Sequence, residues 1–217
     1  HRRRFARGGL RRAAGHRRRG DRAPRRVLRE GAAPLVARIR LDPGRRIPDA
    51  PAAGVDALSE GRCMLGLGAS GPQVVEGFHG VPYDAPLARI REIVDICRDV
   101  WKREDKLNHQ GKKYQIPLPA DQGTGLGKPL KIINHPYRDE IPIALATLGE
   151  KSVEMTAEIA DAWLPAFYMA EGADAVWGDA IRKGNAKRDP SLPPLEVYAG
   201  GAVAVGEGLE SYRDMSR

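Results

Sequence analysis

From residue 61 onward the chain alternates between short apolar runs and longer amphipathic stretches. The run CMLGLG at 63–68 is apolar and ends in glycines, which is typical of a buried parallel strand that leads into a tight turn. After Pro86, apolar residues recur every three to four positions, which predicts an amphipathic helix. Its apolar face would carry Leu87, Ile90, Val94, Cys97 and Trp101.

The second half of the chain repeats this alternation. Apolar runs predict strands at 141–149, 162–168 and 195–205, and helical patterns lie between them at 150–161 and 171–188. The intervening residues 105–140 are irregular, although NHQGKKYQIPLP indicates a small hairpin within them. Strands that alternate with helices in this way predict an α/β fold with a parallel sheet.

Residues 1–60 differ in composition from the rest of the chain. They contain 17 Arg, no Lys and 6 acidic residues, a net charge of +11, whereas residues 61–217 carry a net charge of −3. So few apolar residues cannot offset the entropy of folding, and only PLVARIRLD at 34–42 alternates well enough to predict a short strand. We therefore expect residues 1–54 to form a largely irregular segment and residues 55–217 to form the globular part.

Two explanations of the arginine-rich segment remain open. One is an arm that binds nucleic acid through phosphate contacts, although Phe5 is its only aromatic residue and the segment therefore lacks a stacking platform. The other is a frame-shifted stretch, because Arg, Ala, Gly and Pro are encoded by GC-rich codons. The second explanation is favoured, so nucleic acid is not the expected partner.

The cysteines and the hydropathy pattern indicate the cellular compartment that is expected for the protein. Cys63 and Cys97 lack C-x-x-C spacing, which is typical of two buried thiols in a reducing environment. No apolar run reaches the length of a membrane-spanning helix, and no signal peptide is visible. We expect a cytoplasmic protein, and we expect no metal site because the histidines lack ligand spacing.

The string GLGASG at 66–71 matches the glycine pattern of dinucleotide-binding turns. That fold needs the glycines to open a helix directly and an acidic residue about 20 positions later at the end of the next strand. Here Gly77 and Gly80 are expected to interrupt any helix after Pro72. The required acidic position falls inside the amphipathic helix, so the dinucleotide interpretation is not favoured.

Four stretches together resemble the luciferase-like monooxygenase superfamily, in its branch of coenzyme F-420 (deazaflavin)-dependent oxidoreductases. In the family's order they are ALSEGRCMLGLGASGPQVVEGFHGVPY, PLARIREIVDICRDVW, GTGLGKPLK and IPIALATLGEKSVEMTAEIADAWLP. The resemblance covers residues from about 57 to 217 and implies an incomplete (β/α)8 TIM barrel, about strands 4 to 7. Residues 1–54 show no counterpart of the family's first three strands.

The resemblance also implies an activity. It is hydride transfer between a reduced deazaflavin, with FMN as the alternative cofactor, and a small organic substrate. Because the barrel is incomplete, a catalytically inactive fragment stays an alternative, and open strand edges favour a homo-oligomer. Substrate loops vary most in this architecture, so the substrate is not predicted.

The first group of site residues implied by the resemblance follows the strand at 63–68. Gly68, Ser70 and Gly71 would lie beside the cofactor, because small residues at the end of a barrel strand let a flat ring approach the backbone. A plain tight turn is the alternative. His79, expected in the loop above the barrel face, is a candidate substrate contact, and no catalytic residue is assigned.

The second group joins a strand to the N-terminus of a helix. Free backbone N–H groups and the helix dipole favour a phosphate there, and the resemblance assigns the cofactor phosphate to this region. An ordinary capped helix start is the alternative. The implied residues are Gly149, Glu150, Lys151 and Ser152.

We predict that residues 1–54 are a frame-shifted stretch that replaces the family's first barrel strands. Genuine buried strands would be rich in Val and Ile, and a genuine disordered arm would also carry Ser, Lys, Gln or Glu. Reading the DNA upstream of the Val55 codon in three frames is expected to show a strand-rich sequence that joins in frame near Val55. If no frame contains one, the hypothesis fails and the nucleic-acid arm regains support.

Overall fold

The computed structural model describes residues 35–40, as a backbone strand, and residues 47–200. Within these residues, a short 3-10 helix covers Ala120–Gln122. The elements in chain order are β1 (Leu35–Arg40), α1 (Asp49–Leu58), β2 (Cys63–Gly68), α2 (Pro72–His79), α3 (Pro86–Lys102), β3 (His109–Gln110), β4 (Gln115–Ile116), β5 (Ile143–Leu145), α4 (Glu150–Ile159), β6 (Ala162–Trp163), α5 (Ala170–Lys187) and β7 (Glu196–Val197).

Five parallel strands form one sheet in the order β1-β2-β5-β6-β7. β1 pairs with β2 along its whole length, from Leu35 opposite Cys63 to Arg40 opposite Gly68. β2 pairs next with β5, where Leu65 lies opposite Ile143, and the antiparallel hairpin β3–β4 is inserted between them in the chain. Spatial neighbours thus follow chain order with helices in the connections, which confirms the α/β fold with a parallel sheet.

The side chains of the strands divide by size between the two faces of the sheet. Successive side chains point to opposite faces, and the large ones face the helices. The buried cluster on that side includes Leu65, Leu67, Ile143 and Leu145. The opposite, inward face carries a smaller cluster formed by Met64, Ala144 and Ala162, so most of the inward positions are small.

α3 supplies most of the core behind the sheet. It begins at Pro86, as predicted, and buries Ile90, Ile93, Val94, Ile96, Cys97, Val100 and Trp101. The indole N–H of Trp101 donates to the carbonyl oxygen of Asp49 at 2.9 Å, which joins the end of α3 to the start of α1.

α1 begins at Asp49, so the boundary expected at residues 54 and 55 falls inside a helix. Ala52 and Ala53 are fully buried in the main core, because their small side chains let the helix lie close to its neighbours. An Ala- and Pro-rich composition therefore does not exclude packing. β1 is a paired strand within 34–42, as the alternation of this stretch predicts. The resemblance had indicated no family strand in this part of the chain. The rest of the arginine-rich segment lies outside the described residues.

The helix after GLGASG is continuous, contrary to expectation. α2 has Gly71 as its N-cap and continues through Gly77, so the interruption predicted there is wrong; it ends at His79, and Gly80, the other predicted breaker, is its C-cap with a left-handed φ of 63°. The glycine string does open a helix. The dinucleotide interpretation fails instead on topology, because the next parallel strand does not begin until Ile143.

Several predicted strands are shorter in the structure. A strand was predicted at 162–168, but β6 ends at Trp163. Pro165 has no backbone N–H and so cannot donate a further hydrogen bond to the neighbouring strand. β7 covers Glu196–Val197 of the predicted 195–205, and positions 201–205 lie outside the described residues. The hairpin predicted in the insert is confirmed as β3 and β4.

A buried ion pair fastens the end of the insert to the sheet. The Asp56 carboxylate is fully buried and accepts hydrogen bonds from Nε of Arg138 at 3.0 Å and from its backbone N–H at 2.9 Å. The same guanidinium donates to the carbonyl oxygen of Cys63 at 2.5 Å. Removing one partner would leave the other charge buried and uncompensated, so α1, β2 and the insert depend on this contact together.

A second carboxylate holds the hairpin against α3. Glu92 accepts the backbone N–H groups of residues 112–114 at 2.8 to 3.0 Å, and Nε2 of His109 lies 3.3 Å away. Burial alone raises the pKa of Glu92, but these N–H groups outweigh it and hold the pKa below its usual value. Lys113 in turn pairs with Asp84 at 2.6 Å, which ties the hairpin to the segment before α3.

The closest approach between helices is that of α4 and α5. A Cβ added at Gly184 would lie 2.2 Å from the carbonyl oxygen of Glu154 and 2.6 Å from Cβ of Ala157. The glycine therefore sets the distance between the two helix backbones. α5 has 18 residues, but neither it nor any other helix in the described ranges combines the length and apolarity that crossing a membrane needs.

We expect the stabilisation from Glu92 to be lost on acidification. Its pKa is lowered on folding from the ordinary 4.5, so the contribution is complete above pH 4.5 and disappears as the pH falls through the lowered value. Glu92→Gln should remove that part of the pH dependence and speed hydrogen exchange at residues 112–114. Glu104→Gln, at an exposed glutamate, is the control. Unchanged exchange in Glu92→Gln would contradict this role.

Gly184→Ala is expected to push α4 and α5 apart and to lower the free energy of unfolding by about 1–3 kcal/mol. Gly172→Ala is the matched control in the same helix, because a Cβ there meets nothing within 4 Å. It should be neutral or slightly stabilising, since alanine favours helix. Urea denaturation of both variants makes the comparison, and equal effects would show that the close approach is unimportant.

Candidate functional site

An open cleft of about 780 Å³ lies at the carboxyl ends of the described strands. Its walls come from the segments that follow β2, β5, β6 and β7 and from the start of α3. Parallel α/β folds place ligands at this end of the sheet. The lining residues are Gly66, Leu67, Gly68, Ala69, Ser70, Tyr83, Pro86, Leu87, Ile90, Ala146, Thr147, Leu148, Ser152, Leu164, Pro165, Ala166, Tyr198 and Gly200.

The cleft exists because inward positions of the strands carry almost no side chain. Gly66 and Gly68 of β2 and Ala146 after β5 line it. A Cβ added at Gly68 would meet Cβ of Ala146 at 3.4 Å, so a larger residue would occupy the space between the two strands. A flat ring can approach the backbone closely at such a surface.

The described lining is uncharged. Its polar side chains are the hydroxyl groups of Ser70, Tyr83, Thr147, Ser152 and Tyr198. Apolar walls with a few hydroxyl groups suit a neutral aromatic ring. These groups hold no redox centre, so redox chemistry in this cleft would come from a bound cofactor.

The turn after β2 is strained. Ser70 has a φ of 60°, in the left-handed region that disfavours a residue with a Cβ. Its carbonyl oxygen accepts the hydroxyl of Tyr83 at 3.2 Å, which helps to hold the turn. Of the predicted contacts here, Gly68 and Ser70 line the cleft, whereas Gly71 is the N-cap of α2 and does not.

The loop between β5 and α4 has three consecutive carbonyl groups that are already bonded. Trp163 Nε1 donates to the carbonyl of Thr147 at 3.0 Å, and Trp177 Nε1 donates to that of Leu148 at 2.9 Å. The carbonyl of Gly149 accepts the hydroxyl of Ser152 at 2.7 Å and two backbone N–H groups of the first turn of α4.

These bonds fix the direction of the neighbouring N–H groups. In a trans peptide the C=O of one residue and the N–H of the next point in opposite directions. The N–H groups of Leu148, Gly149 and Glu150 therefore point away from the donors that bind the three carbonyls. α4 also starts without a side-chain cap, so its N-terminus keeps N–H groups for an anion.

The four residues predicted to hold the phosphate, 149–152, differ in whether they line the cleft. Only Ser152 lines it directly, and its hydroxyl is bonded to the carbonyl of Gly149. Glu150 points to Lys183, with Oε1 and Nζ 3.2 Å apart, and Lys151 is exposed. The backbone of this loop, more than its side chains, therefore forms the candidate anion site.

His79 lies in the last turn of α2, not in a loop, and is exposed outside the lining of the cleft.

Two tyrosines that line the cleft, Tyr83 and Tyr198, were not singled out by the residue patterns. Tyr83 belongs to an irregular segment, and only the inward parity of the predicted strand at 195–205 could have indicated Tyr198. The hydroxyl of Tyr198 donates to Oε2 of Glu196 at 2.5 Å. Burial, and then this carboxylate, raises the pKa of Tyr198 to about 12.

Comparison with known proteins agrees with the geometry. A family model described as luciferase-like monooxygenase matches residues 50–217. A protein of Mycobacterium tuberculosis, provisionally named a coenzyme F-420-dependent oxidoreductase, is 54% identical over 114 residues, which are 52% of this chain and 33% of that protein. The phthiodiolone/phenolphthiodiolone dimycocerosates ketoreductase of Mycobacterium kansasii is 31% identical over 172 residues, which are 74% of this chain and 44% of that protein.

The same similarity extends to solved structures. The coenzyme F-420-dependent tetrahydromethanopterin reductase of Methanopyrus kandleri superposes with a TM-score of 0.54 at 21% identity, over 72% of this chain and 46% of that chain. This likeness shows a shared fold. The chain spans less than half the length of these relatives. With most of its residues matched by the family model, the chain belongs to the luciferase-like monooxygenase family.

Proposed function

We propose that the cleft binds coenzyme F-420, a deazaflavin, and that the protein transfers hydride between this cofactor and a small organic substrate. The observation that carries the proposal is a cleft with glycine and alanine on its inner walls and, beside it, the N-terminus of α4, which has no side-chain cap. The cofactor would supply the hydride chemistry. The protein would bind it, orient it and exclude water.

Two parts of the site would hold two parts of the cofactor. Gly68 and the strained turn at Ser70 would lie against the ring, opposite Ala146, and Gly71 would start α2 behind that turn. The N–H groups at Leu148, Gly149 and Glu150, with Lys151 and Ser152 at the start of α4, would hold the phosphate, because the dipole of α4 also favours a negative charge.

FMN is the alternative cofactor, since it carries a similar tricyclic ring and a phosphate. The name of the M. tuberculosis relative supports the deazaflavin. The two buried free thiols, Cys63 and Cys97, support a reducing compartment and hence the cytoplasm. β1 and β7 are the edges of the described sheet, which supports pairing with a second copy.

Titration of the purified chain with coenzyme F-420 and, separately, with FMN tests the proposal. Binding is followed by deazaflavin or flavin fluorescence, and circular dichroism establishes that the chain is folded. We expect saturable binding of the deazaflavin. A folded chain that binds neither cofactor contradicts the proposal, and a chain that binds only FMN replaces the deazaflavin with the flavin.

Gly149→Asp is expected to weaken cofactor binding by about 2 kcal/mol or more, roughly 30-fold in Kd, because the carboxylate faces the phosphate. The fold should survive, since a Cβ at Gly149 meets only Ser152 Oγ at 3.7 Å and aspartate is a good N-cap. Fluorescence titration and thermal unfolding measure the two effects.

The matched control is Gly172→Asp, which places the same charge in the first turn of α5, where a Cβ meets nothing within 4 Å. It should leave the Kd unchanged. If Gly149→Asp binds the cofactor as tightly as this control, the loop between β5 and α4 does not hold the phosphate.

A further inference from the structure

Two strained residues lie along one wall of the cleft. Ser70 has a φ of 60°, and Ala85, which precedes α3, has a φ of 42°. Neither is glycine, so each conformation has an energetic cost and persists only where the surrounding contacts fix it. Strain of this kind is concentrated at binding sites, where it contributes to preorganisation. The contacts that fix these residues are therefore candidates for a functional role.

Residues 80–85, the connecting segment between α2 and α3, pass beside the turn at Ser70. The segment begins at Gly80, which is also left-handed, and it contacts the turn through Tyr83. The hydroxyl of Tyr83 donates to the carbonyl oxygen of Ser70 at 3.2 Å, and its backbone N–H donates to Oε1 of Glu76 at 3.1 Å. Ser70 and Tyr83 both line the cleft. The position of the connecting segment therefore affects the conformation of the turn.

The hairpin of β3 and β4 holds the connecting segment from another part of the chain. Nζ of Lys113 lies 2.6 Å from Oδ2 of Asp84, the residue that follows Tyr83, and the two partners are 29 positions apart. The hairpin end is itself fixed, because Glu92 of α3 accepts the backbone N–H groups of Lys113 and Tyr114. A continuous series of contacts thus runs from the hairpin through Asp84 and Tyr83 to the wall of the cleft.

The Tyr83 side chain has little free space around it where it meets the hairpin. Besides the cleft, it lines a second pocket of only about 20 Å³, to which the hairpin contributes Tyr114. The two cavities share Ala69, Pro86 and Ile90 as well. A displacement of the hairpin would enlarge the small pocket and let Tyr83 move away from the turn.

We propose that the hairpin preorganises the cleft for a flat ring, and that Lys113 is the positioning residue through which it does so. Lys113 is not among the residues that line the described cleft, and it acts through Asp84 and Tyr83 on the turn at Ser70. This inference rests on the proposed function. It gives the insert between β2 and β5 a role in recognition of the ring, as distinct from the phosphate. A ring that meets a turn already formed binds with little ordering cost.

The exposure of the ion pair sets the size of the expected effect. The Asp84 side chain is 55% exposed, and ion pairs in such positions contribute modestly and are screened by salt. Asp84 also faces Arg89, with Oδ2 and Nη2 3.7 Å apart, so one cation stays beside it when Lys113 is changed. We therefore expect loss of the Lys113 charge to weaken ring binding about 3-fold at low ionic strength, and less at high ionic strength.

The test compares ligands with and without a phosphate. The chain and its variants are titrated with coenzyme F-420 and its phosphate-free deazaflavin chromophore, or with FMN and riboflavin if only flavins bind. Lys113→Gln should raise the Kd of both ligands of a pair by the same factor. Gly149→Asp, by contrast, should weaken only the ligand with the phosphate. Lys112→Gln removes the charge of the neighbouring, exposed lysine and is the control, with no change expected in either Kd.

A double-mutant cycle tests whether Lys113 acts through Tyr83. Tyr83→Phe keeps the aromatic ring but removes the hydroxyl that is bonded to Ser70, and it should weaken both ligands about 5-fold. In the Tyr83→Phe background, Lys113→Gln should have little further effect, because the link to the turn is already broken. An equal effect of Lys113→Gln with and without the hydroxyl would overturn the inference. Circular dichroism and thermal unfolding establish that each variant is folded.

Hydrogen exchange in the ligand-free chain gives a second readout that does not depend on the cofactor. Lys113→Gln should speed exchange at residues 69–75, and Lys112→Gln should not. If the folded wild-type chain binds none of the four ligands, the proposed function fails, and unchanged exchange in Lys113→Gln would overturn the link between hairpin and turn as well. If the wild-type chain binds and Lys113→Gln leaves both Kd values unchanged at low ionic strength, only the inference about Lys113 is overturned.

Discussion

The constraint on which the rest of the molecule depends is the difference in side-chain size between the two faces of the sheet. The large side chains fill the space toward α3, so that core is closely packed and tolerates little change in side-chain volume. They are Leu65, Leu67, Ile143 and Leu145. Glycine and alanine occupy the alternate positions that face the cleft. One strand sequence, CMLGLG, therefore provides both a packed outer face and an open inner face.

Tryptophan side chains make the wall of the cleft rigid from behind. Trp163 and Trp177 meet edge to face, with ring centroids 5.2 Å apart, and Tyr168 stacks on Trp177 at 6.2 Å. Each indole N–H donates a hydrogen bond to a carbonyl oxygen of the loop between β5 and α4. The loop thus receives its shape from the protein itself, so an anion there would meet donors that are already oriented, with little ordering cost.

Periodicity predicted the alternation of strands and helices, and most of the helices, because the elements concerned are long or strongly apolar, as α3 is. It failed where short-range signals compete with packing. Ala52 and Ala53 belong to a compositionally biased stretch yet fit a tight helix contact, and Gly77 is tolerated inside α2. Residue types indicated the turn at Gly68 and Ser70. They did not indicate Tyr198, which only the inward parity of the predicted strand at 195–205 could have revealed.

The buried contact between Asp56 and Arg138 has a consequence for how the chain folds. Its partners are 82 positions apart. The second edge of β2 is paired only with β5, which follows the insert in the chain. Contacts this far apart in sequence are slow to form, since a long loop has to close first. During synthesis, α1 and β2 leave the ribosome before their partners exist. Until residues 138–145 have been made, β2 keeps one strand edge unpaired and Asp56 can stay only in water, because its burial requires Arg138.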